Sequence, residues 1–317
     1  MPSGAQELLS QADRAFDSGS RPVALETYAL AAAAAKGADQ GARFREAAAM
    51  VAAVHALEKQ LPDARAWLQQ ASQGADATEP LAWTRLLLAQ GLVAHAQDET
   101  ELAVERLETL FAFAKDQGLH ARSLQAASLA AWVAPDAERR LAWSHRAVQA
   151  ARGAGKPRWE AAALAALAWT FEEQGDAEAA LEAFRSSRTL YRETGSPRER
   201  LKADWSLAHG LRLAGHAARA RGLQELVLEA AKAFQSRGWS PNDSEWVARS
   251  HEELAILDEA AGRFDSALRH LAAAHRAYML AEADSLAPAR LDEVARLTAR
   301  IRARQTGRVG SESDETP

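Results

Sequence analysis

The histidine and carboxylate residues are the first candidates for catalytic groups or metal ligands. The sequence His-Glu-Glu at residues 251–253 begins like a zinc-protease motif, but no second histidine follows on the same helix face. His270 and His275 are five residues apart, which turns their rings off a shared ligand face. Glu172 and Glu173 stand beside a turn, where a solvated pair is favoured over an acid–base couple. We therefore predict a non-enzyme, with no catalytic residue, metal site or cofactor.

The composition narrows the class of protein further. Without cysteine, the chain has no disulfide, thiolate metal site or cysteine nucleophile. Its net charge of −5 argues against wholesale binding of nucleic acid. Neither the N-terminal residues nor any later run has the apolar length of a signal peptide or a membrane span. We expect a cytoplasmic protein that does not enter a membrane.

Alanine-rich helical runs separated by short turns recur along the chain. Alanine enters a helix at the least cost in free energy, so its abundance predicts an all-α fold. In the stretch at residues 169–191, a Gly-Asp turn separates two such runs, and the same spacing recurs elsewhere. Aligning the copies places one alanine of each copy at the same repeat position. We call these residues the anchor alanines: Ala24, Ala64, Ala103, Ala137, Ala180, Ala220 and Ala267. The register of the fourth copy is ambiguous, and Ala137 is aligned with Ala64 because both follow Pro-Asp.

Glycines and prolines punctuate the chain out of phase with the anchor alanines. One set of glycines is predicted to close the second helix of each copy, where a positive φ is wanted: Gly37, Gly74, Gly118, Gly153, Gly195 and Gly238. One set of prolines falls near the start of the next helix, where a missing N–H costs nothing: Pro80, Pro157, Pro197, Pro241 and Pro288. Both signals predict helix–turn–helix units.

The repeat resembles the tetratricopeptide repeat (TPR) family. Its pattern of large and small residues is carried best by Leu164, Leu167, Ala168, Phe171, Ala180 and Phe184. Small residues at positions 168 and 180 would let paired helices approach closely, and the large ones would fill the gaps around them. The period of about 40 residues exceeds the usual length of about 34, as in extended repeats of this family.

The resemblance implies a right-handed superhelical α-solenoid of about seven helix–turn–helix repeats plus a C-terminal capping helix. We predict a single domain over residues 1–305, with the capping helix at 287–305 and a disordered acidic tail at 306–317. The predicted repeats span residues 5–37, 42–74, 81–118, 120–153, 158–195, 198–238 and 245–283.

The resemblance also implies a binding surface, because the first helix of each repeat lines the concave groove in this family. Carried onto this register, the groove would contain Arg85, Leu88, Leu92, Arg122, Gln125, Leu129, Trp132, Trp169, Lys202, Trp205, His209, Arg212, Arg249 and Ile256. Arginine and tryptophan are common anchors of interfaces. The alternative interpretation is that each tryptophan packs in the core and that the basic residues pair with Glu172, Glu173 or Glu252.

The only asparagine, Asn242, limits the ligand type. Members that hold extended peptides or chaperone tails use asparagines in the groove, and this chain cannot build such a set. We therefore predict a non-catalytic adaptor or scaffold that binds a helical or amphipathic, partly acidic segment of a partner protein. The alternative is a peptide-responsive sensor that acts on a separate effector. The convex face, or the loop at residues 235–246, could replace the groove as the contact surface, and the oligomeric state stays open.

Overall fold

The structure, a computed structural model, describes the backbone of residues 4–237, 243–280 and 287–313 and the side chains of 4–237, 244–280 and 289–306. These ranges form fifteen α-helices and no strand, which confirms the all-α prediction. The helices are α1 (Ala5–Asp17), α2 (Arg21–Gly37), α3 (Gly41–Leu57), α4 (Leu61–Ser72), α5 (Pro80–Ala96), α6 (Thr100–Asp116), α7 (His120–Val133), α8 (Ala137–Gly153), α9 (Pro157–Glu173), α10 (Ala177–Thr194), α11 (Pro197–Leu213), α12 (Ala217–Ser236), α13 (Asp243–Ala260), α14 (Phe264–Leu280) and α15 (Ala287–Ser313).

The helices follow one another as seven two-helix hairpins and a last helix, α15. From α1 to α8, and again from α10 to α15, each helix packs against the next along the chain. This sequential packing is the architecture of an α-solenoid, in which neighbouring hairpins complete one another's core. Each hairpin begins and ends close to the bounds of the corresponding predicted repeat.

The chain divides into two compact units, Met1–Thr170 (unit 1) and Phe171–Pro317 (unit 2), and each is described by itself. The single domain expected over residues 1–305 stays a prediction. No helix in the described ranges is long and apolar enough to cross a membrane.

The anchor alanines occupy the fourth position of each second helix. Ala24, Ala64, Ala103, Ala180, Ala220 and Ala267 all stand there, and each is essentially inaccessible to solvent. In the fourth hairpin the alignment was wrong: Ala137 is the first residue of α8, and Arg140 holds the anchor position. The reason is that Asp136 caps α8, its side chain accepting a hydrogen bond from the Arg139 amide, whereas the Pro-Asp pair of α4 lies inside the helix.

Among the described residues with a positive φ, four follow a hairpin, none lies in the turn of the fourth hairpin, and six lie in the turn inside one of the other hairpins. That turn contains Gly19, Gly175, Gly215 or Gly262 at positive φ, and Lys59 or Asp98 takes the same place in the second and third hairpins. Among the glycines predicted to close second helices, only Gly74 and Gly118 have a positive φ in the described residues. Asp39 and Gly155 take that conformation near Gly37 and Gly153, Gly195 has φ −81°, and Gly238 lies outside the described residues.

The second punctuation signal concerns prolines, which were predicted to stand near the start of the next helix. Pro80, Pro157 and Pro197 are each the first residue of a first helix, and Pro241 lies outside the described residues.

The helix α15 runs to Ser313, so it is longer than the predicted capping helix that ended at residue 305. The predicted tail is therefore helical over residues 306–313, and its remainder lies outside the described residues.

Candidate partner-binding surfaces

Four first helices of unit 1 contribute to one polar cluster: Glu46, Arg85 and Arg122 stand at matching positions of α3, α5 and α7, and Asp13 stands on α1, seven residues after the matching position. The Arg85 guanidinium donates two hydrogen bonds of 2.8 Å to the carboxylate of Asp13. Its Nε lies 3.3 Å from a carboxylate oxygen of Glu46, and the Tyr28 hydroxyl donates to Asp13 at 2.6 Å. Arg122 follows on α7. We call the surface that these helices share the first-helix face of unit 1.

The ion pair between Asp13 and Arg85 connects the first hairpin to the third. Asp13 lies on α1 and Arg85 on α5, and α3 packs against α5 and also contacts α1. The two side chains therefore meet across α3 on this face.

Burial and charge set the protonation behaviour of this cluster. Burial acts to raise the pKa of Asp13, but hydrogen bonds and positive charge from Arg85 outweigh it and lower the pKa below its usual value. Burial raises the pKa of Glu46 despite the nearby charge of Arg85. Burial also raises the pKa of Tyr28, which keeps its hydroxyl protonated as a donor to Asp13. The buried Arg85 cation is therefore neutralised from within the chain.

Arg122 differs from Arg85, because it forms no ion pair with a carboxylate of the described residues. Its one hydrogen-bond partner there is Gln125, whose side-chain oxygen accepts from the guanidinium at 2.9 Å. Burial and the like charge of Arg85 lower the pKa of Arg122. Arg122 is only partly buried, so a ligand can reach it. Asp13 and Glu46 lie near enough to act to raise this pKa, but neither forms a direct ion pair with Arg122.

The same face of α7 carries an accessible aromatic side chain. Arg122, Gln125, Leu129 and Trp132 lie within an arc of about 80° around the helix. Leu129 is half-buried, whereas Trp132 is 55% exposed. The Trp132 ring meets His95 of α5 edge-on, with ring centroids 4.5 Å apart. A large exposed aromatic ring held by a neighbour is the kind of side chain that anchors a partner.

Several residues predicted to line the groove lie in the interior instead. Leu88 and Leu92 are 1% exposed, and Arg85 is 4% exposed in the ion pairs described above. In unit 2, Trp205 and His209 are also buried. A partner cannot reach these side chains directly, because each first helix packs between its neighbours and only part of its surface stays open. The alternative interpretation, core packing, therefore holds for Trp205.

The other predicted residues are accessible to different degrees. Trp169 in unit 1 and Ile256 in unit 2 are half-buried, and Lys202 in unit 2 is exposed. Arg212 and Arg249 are half-buried but already paired, with Glu253 and Glu245 respectively. Lys202 is therefore the most accessible of the predicted cations in unit 2.

In unit 2, the buried His209 lies between two carboxylates. Its Nδ1 is 2.8 Å from Glu253 and its Nε2 is 3.0 Å from Glu172. Arg212 also donates to Glu253, at 2.7 Å from Nε. Ionised carboxylates only accept hydrogen bonds, so both ring contacts are hydrogen bonds when both ring nitrogens carry a hydrogen. These contacts tie α11 to the last turn of α9 and to α13.

Aromatic rings extend this cluster toward the start of α13. Trp205 stacks on His209 at 5.4 Å, and Trp246 meets Trp205 edge-on at 5.9 Å. The Arg249 guanidinium lies 5.7 Å from the Trp205 ring and 5.5 Å from the Trp246 ring, within cation–π range. Trp246 is the last residue of the predicted loop at residues 235–246, which the sequence offered as an alternative contact surface. Residues 238–242 of that loop lie outside the described part. The cluster holds α11 and α13 together.

Among the carboxylates that the sequence offered as partners, Glu172 pairs with the predicted His209. Asp13, Glu46 and Glu253 were missed, and they come from repeats one or two places away along the chain. Part of a signal was present, because residues 46, 85 and 122 recur at close to the repeat length, each on a first helix. Aligning charges by repeat position would have predicted an acid–base–base row on α3, α5 and α7, without Asp13.

No metal site is found in the part of the chain that the structure describes. No group of three or more histidine, cysteine, aspartate or glutamate side chains there could hold an ion. His251 and His270 form a pair, with their Nδ1 atoms 2.9 Å apart. Burial, then the neighbouring His270, lowers the pKa of His251 to about 4. His275, the other histidine considered for a ligand pair, is exposed.

No protein-family model and no curated protein matches the chain. Solved structures do. RapI in its apo form superposes with a TM-score of 0.71 at 10% identity, over 96% of this chain and 87% of that one. A signal-transduction ATPase with numerous domains from Pyrococcus horikoshii, which has a tetratricopeptide repeat sensor, gives 0.57 at 11% identity, over 94% and 48%. Aspartyl phosphate phosphatase F from Bacillus subtilis gives 0.53 at 12% identity, over 83% and 70%. At such identities the likeness concerns the fold, and the tetratricopeptide-type repeat fold is confirmed.

Proposed function

We propose that the protein is a non-catalytic adaptor that binds a helical, partly acidic segment of a partner protein on the first-helix face of unit 1. The observation that carries the proposal is the stripe on α7, where exposed Trp132 and half-buried Leu129 lie in line with Arg122. The aromatic ring would supply buried area, and Arg122 would supply charge complementarity.

The partner's acidic group is inferred from the charge balance of this face. Asp13 and Glu46 are already engaged by Arg85, whereas Arg122 has no carboxylate partner in the described residues. A carboxylate brought by a partner would form the direct ion pair that Arg122 lacks. A helix with an apolar stripe and one acidic edge offers both chemistries at once.

In unit 2, most of the predicted groove residues are already buried or paired with side chains of the same unit. Trp205 is buried, and Arg212 and Arg249 are paired. Lys202 and Ile256 are the predicted groove residues that a partner could still reach there. The proposed anchor is therefore placed on α7 of unit 1 alone.

The second candidate is a sensor that takes a short peptide and acts on a separate effector. The His209 cluster favours it, because one imidazole links α9, α11 and α13 through two carboxylates. A ligand that altered this linkage would change how these helices pack. The neighbour from Pyrococcus horikoshii carries a repeat sensor of the same fold. Thermal stabilisation by short peptides would favour the sensor, and co-purification of a folded partner would favour the adaptor.

The test is quantitative affinity purification from the source cell with three forms of the full chain. These are the native protein, Trp132→Ala, and Leu30→Ala as the control. Leu30 is 53% exposed, much like Trp132, but it lies on a second helix, α2. We expect at least one partner to be reduced by about tenfold or more with Trp132→Ala, a typical cost of losing an aromatic anchor.

Circular dichroism and thermal unfolding would verify that both variants stay folded, as expected for exposed positions. The proposal is wrong if the native chain and Trp132→Ala recover the same partners in the same amounts. It is also wrong if Leu30→Ala loses the same partners, because the effect would then not belong to the first-helix face. Arg122→Gln should weaken the same partner as Trp132→Ala.

A further inference from the structure

A groove of about 520 Å³ runs between α14 and α15 in unit 2. The two helices are antiparallel, because the Gln305 side chain near the end of α15 donates to Asp265 near the start of α14 at 2.8 Å. In this register Arg302 stands opposite Leu268 at one end of the groove, and Arg276 lies at the other end.

The floor of the groove is apolar and open. Leu271 and Val294 are buried at its base, and Ala272, Ala295 and Ala299 are exposed along its walls. Alanine walls allow another helix to approach closely, because they add little bulk between the backbones. No described helix packs over them.

An exposed methionine continues this surface on α14. Met279 falls within the arc of about 140° that the groove residues of that helix occupy. It is 63% exposed, which is high for a large apolar side chain. Methionine is flexible and polarizable, and it suits surfaces that receive a partner. With Met279 included, the apolar surface on α14 extends over about 16 Å, which is three helical turns.

The two rims carry positive charge without a matching anion. Four arginines of α15 form ion pairs: Arg290 with Glu252, Arg296 with Glu293, and both Arg300 and Arg304 with Glu259. Arg302 on that helix and Arg276 on α14 form none with the described residues, although both line the groove. Arg276 and Arg302 are therefore cations without an ion pair that face the groove, whereas Arg269 of α14, which also forms no ion pair with the described residues, does not line it.

We propose that this groove binds an acidic amphipathic helix of a partner protein. Along the groove, the two unpaired arginines are about eight residues apart, which is about 12 Å of helix. Two carboxylates about eight residues apart on a docked helix would be separated by the same 12 Å and by about 80° around its axis. They would therefore lie on opposite edges of its apolar stripe, one beside each arginine. The site is separate from that of the proposed adaptor function.

The test measures binding of synthetic helices to the full chain by fluorescence anisotropy. The first peptide has about four turns, an apolar stripe and two glutamates about eight residues apart on its two edges. Its twin carries lysine at those two positions. The protein forms are native, Arg276→Gln/Arg302→Gln and the control Arg185→Gln/Arg296→Gln, which removes two exposed arginines outside the groove.

We expect the glutamate peptide to bind the native and control proteins alike, and the groove variant about tenfold more weakly. The lysine twin should bind the native protein more weakly than the glutamate peptide does. Ala295→Glu/Ala299→Glu, at two exposed positions, should reverse that preference.

Equal binding of the two peptides by native protein would overturn the proposal, and so would an equal loss in the control variant. Absence of binding by every peptide would overturn it as well. A native chain that is dimeric in light scattering, and becomes monomeric in the groove variant, would assign the groove to a second copy and contradict the partner helix. Recovery of partners through Trp132 does not bear on any of these outcomes.

Discussion

Glu253 lies in the interior of unit 2, where it accepts hydrogen bonds from His209 at 2.8 Å and from Arg212 at 2.7 Å. Burial alone would raise the pKa of its carboxyl group. The hydrogen bonds and charges of the two basic side chains outweigh burial and lower the pKa to about 2, from an ordinary value of 4.5. The ionised form is therefore the form that the fold stabilises.

This shift predicts how stability depends on pH. Because the folded pKa lies below the unfolded one, the contribution of Glu253 is complete above pH 4.5 and is lost as the pH falls through about 2. We expect Glu253→Gln to cost about 3 kcal/mol at pH 7 and to flatten the pH dependence between these values. Urea unfolding at a series of pH values measures both effects.

The matched control for Glu253 is Glu182→Gln. Glu182 is 65% exposed and pairs with Arg185 on the surface of unit 2, so its loss should cost less than about 1 kcal/mol. A pH profile in which Glu253→Gln and native protein lose stability in parallel would contradict the assignment.

At the scale of the elements, the turns within the hairpins depend on a left-handed residue. Gly215, between α11 and α12, has φ +78° and no atom within 4 Å of an added Cβ. A side chain there meets no neighbour, so its cost would come from the backbone alone. Gly222 within α12 also has free space around an added Cβ, but it has no positive φ.

Substitution by alanine should therefore change the free energy of unfolding in opposite directions at the two glycines. Gly215→Ala should lower the free energy of unfolding by about 1–2 kcal/mol, because alanine is strained in the left-handed region. Gly222→Ala should raise it by about 0.5–1 kcal/mol, because alanine favours a helix interior. Denaturant unfolding followed by circular dichroism gives both values, and equal effects would contradict the role of the turn.

For the whole molecule, helix content and hairpin order could be predicted from the sequence, because alanine spacing and proline punctuation are local signals. The fourth hairpin shows where local signals fail. Pro-Asp precedes Ala64 inside α4, but in α8 the aspartate caps the helix and leaves Arg140 at the anchor position. The same dipeptide fits both places, and the packing of neighbouring helices decides between them.

The candidate surfaces could be predicted only in part. Helical spacing placed Arg122, Gln125, Leu129 and Trp132 on one face of α7, as the structure has them. Which basic side chains stay available depends on carboxylates from other repeats, such as Asp13, which pairs with Arg85 from 72 residues away. Pairings at that distance follow from how the helices of different repeats pack, which no local pattern encodes.

The ion pair between α1 and α5 also bears on how the molecule would respond to mechanical force. In a solenoid with contacts only between neighbours, hairpins can detach one at a time from an end. Here Arg85 fastens the first hairpin to the third and, through Glu46, to the second. Tension on the N-terminus must break this shared connection before any of the three can leave.

Under tension in optical tweezers, residues 5–116 should therefore extend in one step of about 390 Å. Arg85→Leu should divide that step into smaller ones at lower force, whereas Arg21→Leu, which removes an exposed pair with Glu58, should not. A stepwise trace in the native chain would contradict the coupling. The buried arginine would thus act as a mechanical clamp that makes three repeats yield as one.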